Sequence, residues 1–397
     1  MIAVGTTVLG GCSGDSVPFE PQPVAVPAGI PATGPRISGD ADSGLVLSWM
    51  EESDNGDSLF FSRLVPDGWS PAASVVGGVN MFVNWADMPS VQSMGGNRLS
   101  AHWLEKSGDS TYAYDIVFTQ SLDGGGSWSD PIRPHSDDTQ TEHGFVSMFA
   151  DGSGTGLIWL DGRKMVNEGT DDPVASGMTL RSASVDQNSG IHKEQLVDEL
   201  ICDCCQTDVA IASSGPVAVY RDRTINEIRD IWITRRTEGT WQPGNPIADD
   251  GWEIPGCPVN GPAVVAVETF VAVAWFTAAD DQPVVKLAMS GDNGESFSWQ
   301  TDVDRGPVFG RVGLTLLPGN RVAVSWLRKG DNDLNELRTK AIGMGGLLGD
   351  AHIVATRVGA FSVPQIGVSG PDLVFVWTET DDRVNSIHSA KVPLKAL

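Results

Sequence analysis

The chain has 397 residues, with 51 acidic side chains against 26 basic ones and a formal net charge of −25. That balance would repel a phosphate backbone and no basic stripe offsets it, which excludes a nucleic-acid partner. A hydrophobic fraction of 41% with 46 glycines and 24 prolines, and no long apolar helical pattern, excludes a helical bundle and suits many short strands joined by tight turns.

In chain order, Leu9-Gly10-Gly11-Cys12 comes first and resembles the lipobox of bacterial lipoproteins, in which the cysteine is acylated. The resemblance implies a signal over residues 1–12, lipidation at Cys12, a tether over 13–22 and a body over 23–397. It also implies residence at the bacterial cell envelope, lipid-anchored, periplasmic or associated with the outer membrane. No segment approaches the roughly 20 apolar residues of a spanning helix, so membrane attachment is expected only through the lipid.

From there the chain repeats. Seven β-rich runs climb to an aromatic and break into a polar, acidic loop: Leu45 to Trp49, Leu99 to Trp103, Gly156 to Trp159, Val217 to Tyr220, Val271 to Trp275, Val322 to Trp326 and Val374 to Trp377. The aromatics recur every 51 to 61 residues, which indicates one supersecondary unit per repeat. Each unit reads as four strands. In the second they are Pro89 to Ser93, Leu99 to Trp103, Tyr114 to Gln120 and Pro131 to Arg133, separated by Gly-rich or polar turns. Four-stranded sheets repeated around an axis give an all-β propeller, here with seven blades predicted and six as the alternative. The last repeat ends at Ile387 to Val392 without a fourth strand, and Pro23 to Pro27 is expected to supply it and close the ring.

Two turns between third and fourth strands, Ser121 to Trp128 and Ser290 to Phe297, fit S-x-D-x-G-x-[ST]-[WF], the Asp box. Its carboxylate accepts backbone N–H bonds across the turn, its glycine permits positive φ, and its aromatic packs between sheets. Asp67-Gly68-Trp69 and Glu238-Gly239-Thr240-Trp241 are weaker relatives in phase with the repeat. With these motifs the chain resembles the sialidase superfamily. Cys202-Asp203-Cys204-Cys205-Gln206-Thr207, Tyr220-Arg221-Asp222-Arg223 and Gly256 to Gly261 look like segments of bacterial lipoprotein propellers grouped with it.

The resemblance implies a glycan ligand at the central funnel and, as an activity, hydrolysis of a terminal acidic sugar. Sialidases hold the substrate carboxylate with arginines and use a carboxylic acid and a tyrosine nucleophile. Guanidinium suits that task because its planar fork pairs bidentately with a carboxylate. The face opposite the Asp boxes gathers the candidates. Asp87 and Glu142 are candidate acids, and Tyr220, one of only three tyrosines with Tyr112 and Tyr114, is the one expected at the rim as nucleophile. Arg36, Trp85, His143, Asp161, Arg163, Arg221, Arg223 and Arg311 are candidate substrate contacts. A non-catalytic envelope module for binding or assembly would need the same arginines and aromatics without a positioned acid or nucleophile.

Beyond Cys12, Cys202, Cys204, Cys205 and Cys257 remain, an even number that in an exported protein favours two disulfides, one clamping neighbouring blades. No cofactor is expected on that reading. The alternative is a metal-handling propeller, in which C-x-C-C with Cys257, and His143 near, offers soft ligands for copper(I) or zinc.

Overall fold

The sequence period corresponds to one antiparallel sheet per repeat in the computed structural model, which describes residues 17–40, 44–167, 170, 172–346 and 349–397. The lipobox cysteine, Cys12, lies outside those residues. Seven sheets form a seven-bladed propeller, the expected all-β fold. Blade 1 is built from Ala32–Asp40, Gly44–Glu51, Asp57–Val65 and Ala73–Val79, and blade 2 from Ser90–Ser93, Leu99–Lys106 and Tyr114–Ser121. Blade 3 comprises His143–Asp151, Gly154–Asp161, Thr179–Val185 and Ile191–Asp198. Blade 4 comprises Asp208–Ala212, Gly215–Arg221, Ile231–Thr237 and a short Asn245–Pro246. Blade 5 runs Ala263–Val267, Phe270–Thr277, Val284–Ser290 and Trp299–Arg305, and blade 6 Val308–Leu317, Arg321–Lys329, Asn335–Gly343 and His352–Thr356. Blade 7 has Gln365–Ser369, Asp372–Asp381 and Val384–Pro393.

Second strands read as near-continuous apolar runs because each is covered on both faces by a neighbouring blade. In blade 1, Leu47 and Trp49 point toward blade 7, and the alternate residues Val46 and Met50 toward blade 2. The core is therefore divided into seven clusters, one in each gap between adjacent sheets. Each fully buried Leu, Val or Phe in them contributes roughly 1.5–3 kcal/mol relative to exposure.

Gln22 and Pro23 pair with Lys391 and Ala390, and Val24 N donates to Ser389 O at 2.8 Å, so the segment before blade 1 completes blade 7, through residues 22–24 rather than the expected Pro23 to Pro27. A proline is tolerated there because the strand is an edge. The predicted fourth strand of blade 2 is shorter than expected: only Ile132 pairs, exchanging two backbone bonds with Phe118.

Both Asp-box turns close alike. Asp123 accepts from Ser127 N (2.9 Å), Ser127 Oγ (2.7 Å) and Ser121 Oγ (2.8 Å), and Asp292 repeats the pattern with Ser296 and Ser290. In Asp123 the Ser127 hydroxyl and N–H lead in drawing the carboxyl down to about 2. Burial opposes ionisation of Asp292, and the Ser290 and Ser296 bonds overcome it, giving the same value.

Candidate functional site

Inner strands of all seven blades line a central cavity of about 630 Å³. At the mouth where these strands begin, three are distorted by β-bulges: Thr33 to Arg36, Gly144 to Ser147 and Gly310 to Gly313. A bulge re-aims the side chains it carries. Two of these bulges hold a non-glycine residue at positive φ, Phe145 at 52° and Arg311 at 53°.

The sequence candidates Asp87 and Glu142 are brought together, by a tyrosine other than the expected one. Tyr114 Oη lies 2.8 Å from Asp87 Oδ2 and 2.7 Å from Glu142 Oε1. A phenol carries one proton and can donate to only one of them, so the second contact requires a carboxyl that holds its own proton. Asp87 is buried, and burial pushes its carboxyl up to about 7 against the Phe145 N–H (2.7 Å), Tyr114 and Arg36, which oppose it. Glu142 is only half-buried. Burial, with the charges of Asp87 and Asp203, pushes it up to about 8 against the Tyr114 bond. Burial also raises the Tyr114 phenol, which is wholly enclosed and stacked on Phe82 at 4.0 Å. His102, also enclosed, is driven down to about 3 by burial and the Arg36 charge and stays neutral.

Gly144 is required here, since a Cβ on it would stand 1.9 Å from Asp87 Oδ2 and 2.8 Å from Tyr114 Cε2. Gln206 fixes the loop that carries Asp87 by donating to Ala86 O (2.7 Å) while accepting from Gly261 N (3.2 Å). Asp208, lining the cavity, accepts from Val264 N, and burial raises its carboxyl to about 6.

The five candidate arginines do not form one cluster. Arg36 and Arg311 line the cavity. Arg163 is committed to Asp161, Asp137 and Glu194, and Arg223 to Asp203 and Glu227. Arg221 is buried and donates to the carbonyls of Asn260, Arg229 and Phe276. Arg311 lies over Trp85, 4.6 Å from the ring centroid, with its backbone N held by Asn260 Oδ1. Its buried Nε and Nη1 have no hydrogen-bond partner, and no carboxylate is within ion-pair distance among the described residues. Beside it, Trp85 meets Phe361, which is 65% exposed.

His143, Asp161 and Tyr220 are buried, as Asp87 and Arg221 are, rather than exposed at the rim. His143 and Asp161 are fully buried. His143 stacks on His135 at 4.1 Å, and Asp161 accepts from the Trp159 indole and from Arg163. Tyr220 is buried and donates to Asp198 at 2.6 Å, away from Asp87 and Glu142. Two groups, Asp115 with His135 and His143, and Asp137 with His143 and Asp161, have metal-compatible spacing. Their carboxylates already have cationic partners, Arg133 for Asp115 and Arg163 for Asp137 and Asp161. The cysteines correct the expected disulfides: Cys202, Cys204, Cys205 and Cys257 are all free thiols, and Cys257 is exposed, outside the close group formed by the other three.

No protein family matches the sequence, and no curated protein matches it either. Among solved structures, a Dyadobacter fermentans protein of unknown function aligns at 12% identity over 79% of this chain and 97% of its own, TM-score 0.49. The NanB sialidase of Streptococcus pneumoniae aligns at 9% over 90% and 85%, TM-score 0.47. A family 25 polysaccharide lyase, an ulvan lyase, aligns at 11% over 80% of each chain, TM-score 0.45.

Proposed function

We propose that the channel mouth binds a glycan through an acidic sugar, the sugar carboxylate pairing with Arg311 and its apolar face packing beside Trp85 and Phe361. The observation that carries this is the unpartnered guanidinium. In a chain with 51 acidic residues against 26 basic ones, an arginine with two buried, unsatisfied donors is costly, and an anionic ligand satisfies it. A charge-assisted, bidentate carboxylate is the ligand chemistry that fits a guanidinium fork.

Hydrolysis of a terminal acidic sugar would start from Glu142. It is the half-exposed member of the carboxyl pair, and with a value raised to about 8 it holds a proton at neutral pH and can act as general acid. The enclosed Tyr114 hydroxyl favours a second reading, a non-catalytic envelope module, because a nucleophile must reach the sugar. The cell-envelope location through Cys12 belongs to the same proposal, and loss of metabolic palmitate labelling in Cys12→Ser checks it.

Calorimetry with a sialoside and a hexuronide, together with their fluorogenic derivatives, tests the reading. We expect binding of one of them, weakened at least tenfold in Arg311→Met, and release of fluorophore that disappears in Glu142→Gln while binding persists. Binding without release assigns the module. Unchanged binding in Arg311→Met removes the proposal.

A further inference from the structure

We infer that Cys202, Cys204 and Cys205 form a three-thiolate site for copper(I), independent of the glycan reading. The loop Cys202 to Cys205 precedes blade 4 and is held by Cys202 N donating to Arg221 O and by pairing of Ile201 with Asp222. Cys202 Sγ lies 3.2 Å from Cys205 Sγ and 3.9 Å from Cys204 Sγ, and all three sulfurs fall within 4.8 Å of one another. Metal–thiolate bonds of roughly 2.3 Å in a trigonal plane place sulfurs about 4 Å apart, so the group needs to open by less than about 1 Å to take an ion.

The surrounding charge is the second, independent observation. Arg221 is 2% exposed, has no carboxylate within ion-pair distance among the described residues, and its carbonyl accepts from Cys202 N at 3.0 Å. Arg229, itself buried, donates to Cys202 Sγ at 3.5 Å. Arg221 is satisfied by the carbonyls of Asn260, Arg229 and Phe276, and Arg229 also pairs with Glu227 at 2.8 Å, so the Cys202 sulfur is one of several acceptors these buried cations hold. Thiols bind a metal as thiolates, so they lose their protons on binding.

Chemistry selects the ion. Three soft sulfurs, with neither Cys257 nor His143 in the group, suit copper(I), whereas a structural zinc site is closed by four ligands. On binding, the S–H bonds break, S–Cu bonds form and the protons go to solvent. Copper enters and stays as copper(I), so no oxidant or reductant is consumed. Half-buried Cys204 offers the route in.

The test is anaerobic competition of the full, reduced chain for copper(I) against bicinchoninate, with X-ray absorption of the loaded protein. We expect one copper(I) per chain in a shell of three sulfurs, at least tenfold weaker binding in Cys204→Ser, and no change in Cys257→Ser. Cys204 is at the edge of the group, so its serine variant keeps the test usable where Cys202→Ser or Cys205→Ser fails to fold. Unchanged affinity in Cys204→Ser, a shell containing nitrogen or oxygen ligands, preference for zinc(II), or a Cys202–Cys205 disulfide that resists mild reductant would each overturn the assignment. None of these outcomes bears on sugar binding, which is measured separately.

Discussion

Each of the seven repeat aromatics gives its one polar hydrogen to a carboxylate. Trp49, Trp103, Trp159 and Trp377 donate to the acid two residues on, Glu51, Glu105, Asp161 and Glu379. Trp275 and Trp326 donate to Asp250 and Asp304, and Tyr220 does the same to Asp198. A buried indole or phenol needs such a partner, which explains the acid two residues after the aromatic in four of the repeats; in the other three the acid comes from earlier in the chain. It also explains why Tyr220 occupies a tryptophan slot: it is the donor of its repeat. Asp87 and Glu142 are a different kind of acid, because they share a tyrosine rather than an indole. Folded, they keep a proton up to about 7 and about 8, while unfolded carboxyls lose theirs near roughly 4. Between those values the native state binds more protons, so stability falls as pH rises from about 4 to about 8 and is level below that window. Glu142→Gln removes its share of that slope, read as a smaller loss of stability between urea midpoints at pH 5 and pH 8 than the wild type shows. An unchanged slope would show that Glu142 titrates normally.

At the scale of the element, bulges at the starts of inner strands separate the mouth from an otherwise regular ladder. The blade 3 bulge puts Gly144 against Asp87 and Tyr114 and turns Phe145 N onto Asp87. Gly144→Ala should therefore cost roughly 2–3 kcal/mol by overpacking, measured by chemical denaturation, with a wild-type midpoint contradicting this close approach. Strands were legible in the sequence because alternation and the aromatic period report burial between sheets. The bulges were not, since one extra residue leaves no mark on composition. Tyr114 escaped for a related reason: it opens a fully buried strand, Tyr114–Ser121, and reads as core until the neighbouring loop brings Glu142 to it. Asp87 and Glu142 were visible as polar residues in loops leading to inner strands, but the tyrosine they share is a product of tertiary structure. His143 and Asp161 look like rim residues by position and are drawn inside by ion pairing with Asp137 and Arg163.

For the whole molecule, the ring makes one cavity from seven distant segments and leaves its closure to the N-terminal strand. Removing residues up to Val24 strips Gln22 and Pro23 from Val384–Pro393 and exposes that edge. The truncated chain should melt at lower temperature and associate in size-exclusion chromatography, whereas wild-type behaviour in both would show that the strand is dispensable. Seven blades also set how the mouth is composed: Arg311 from blade 6, Trp85 ahead of blade 2 and Phe361 ahead of blade 7 meet there, although 276 positions separate Trp85 from Phe361 along the sequence. The most direct measurement is a crystal structure of the full chain soaked with the acidic sugar that binds in calorimetry. The sugar carboxylate is expected on the Arg311 guanidinium with its ring beside Phe361; a sugar seated elsewhere, with Arg311 left unpaired, would contradict the proposed site.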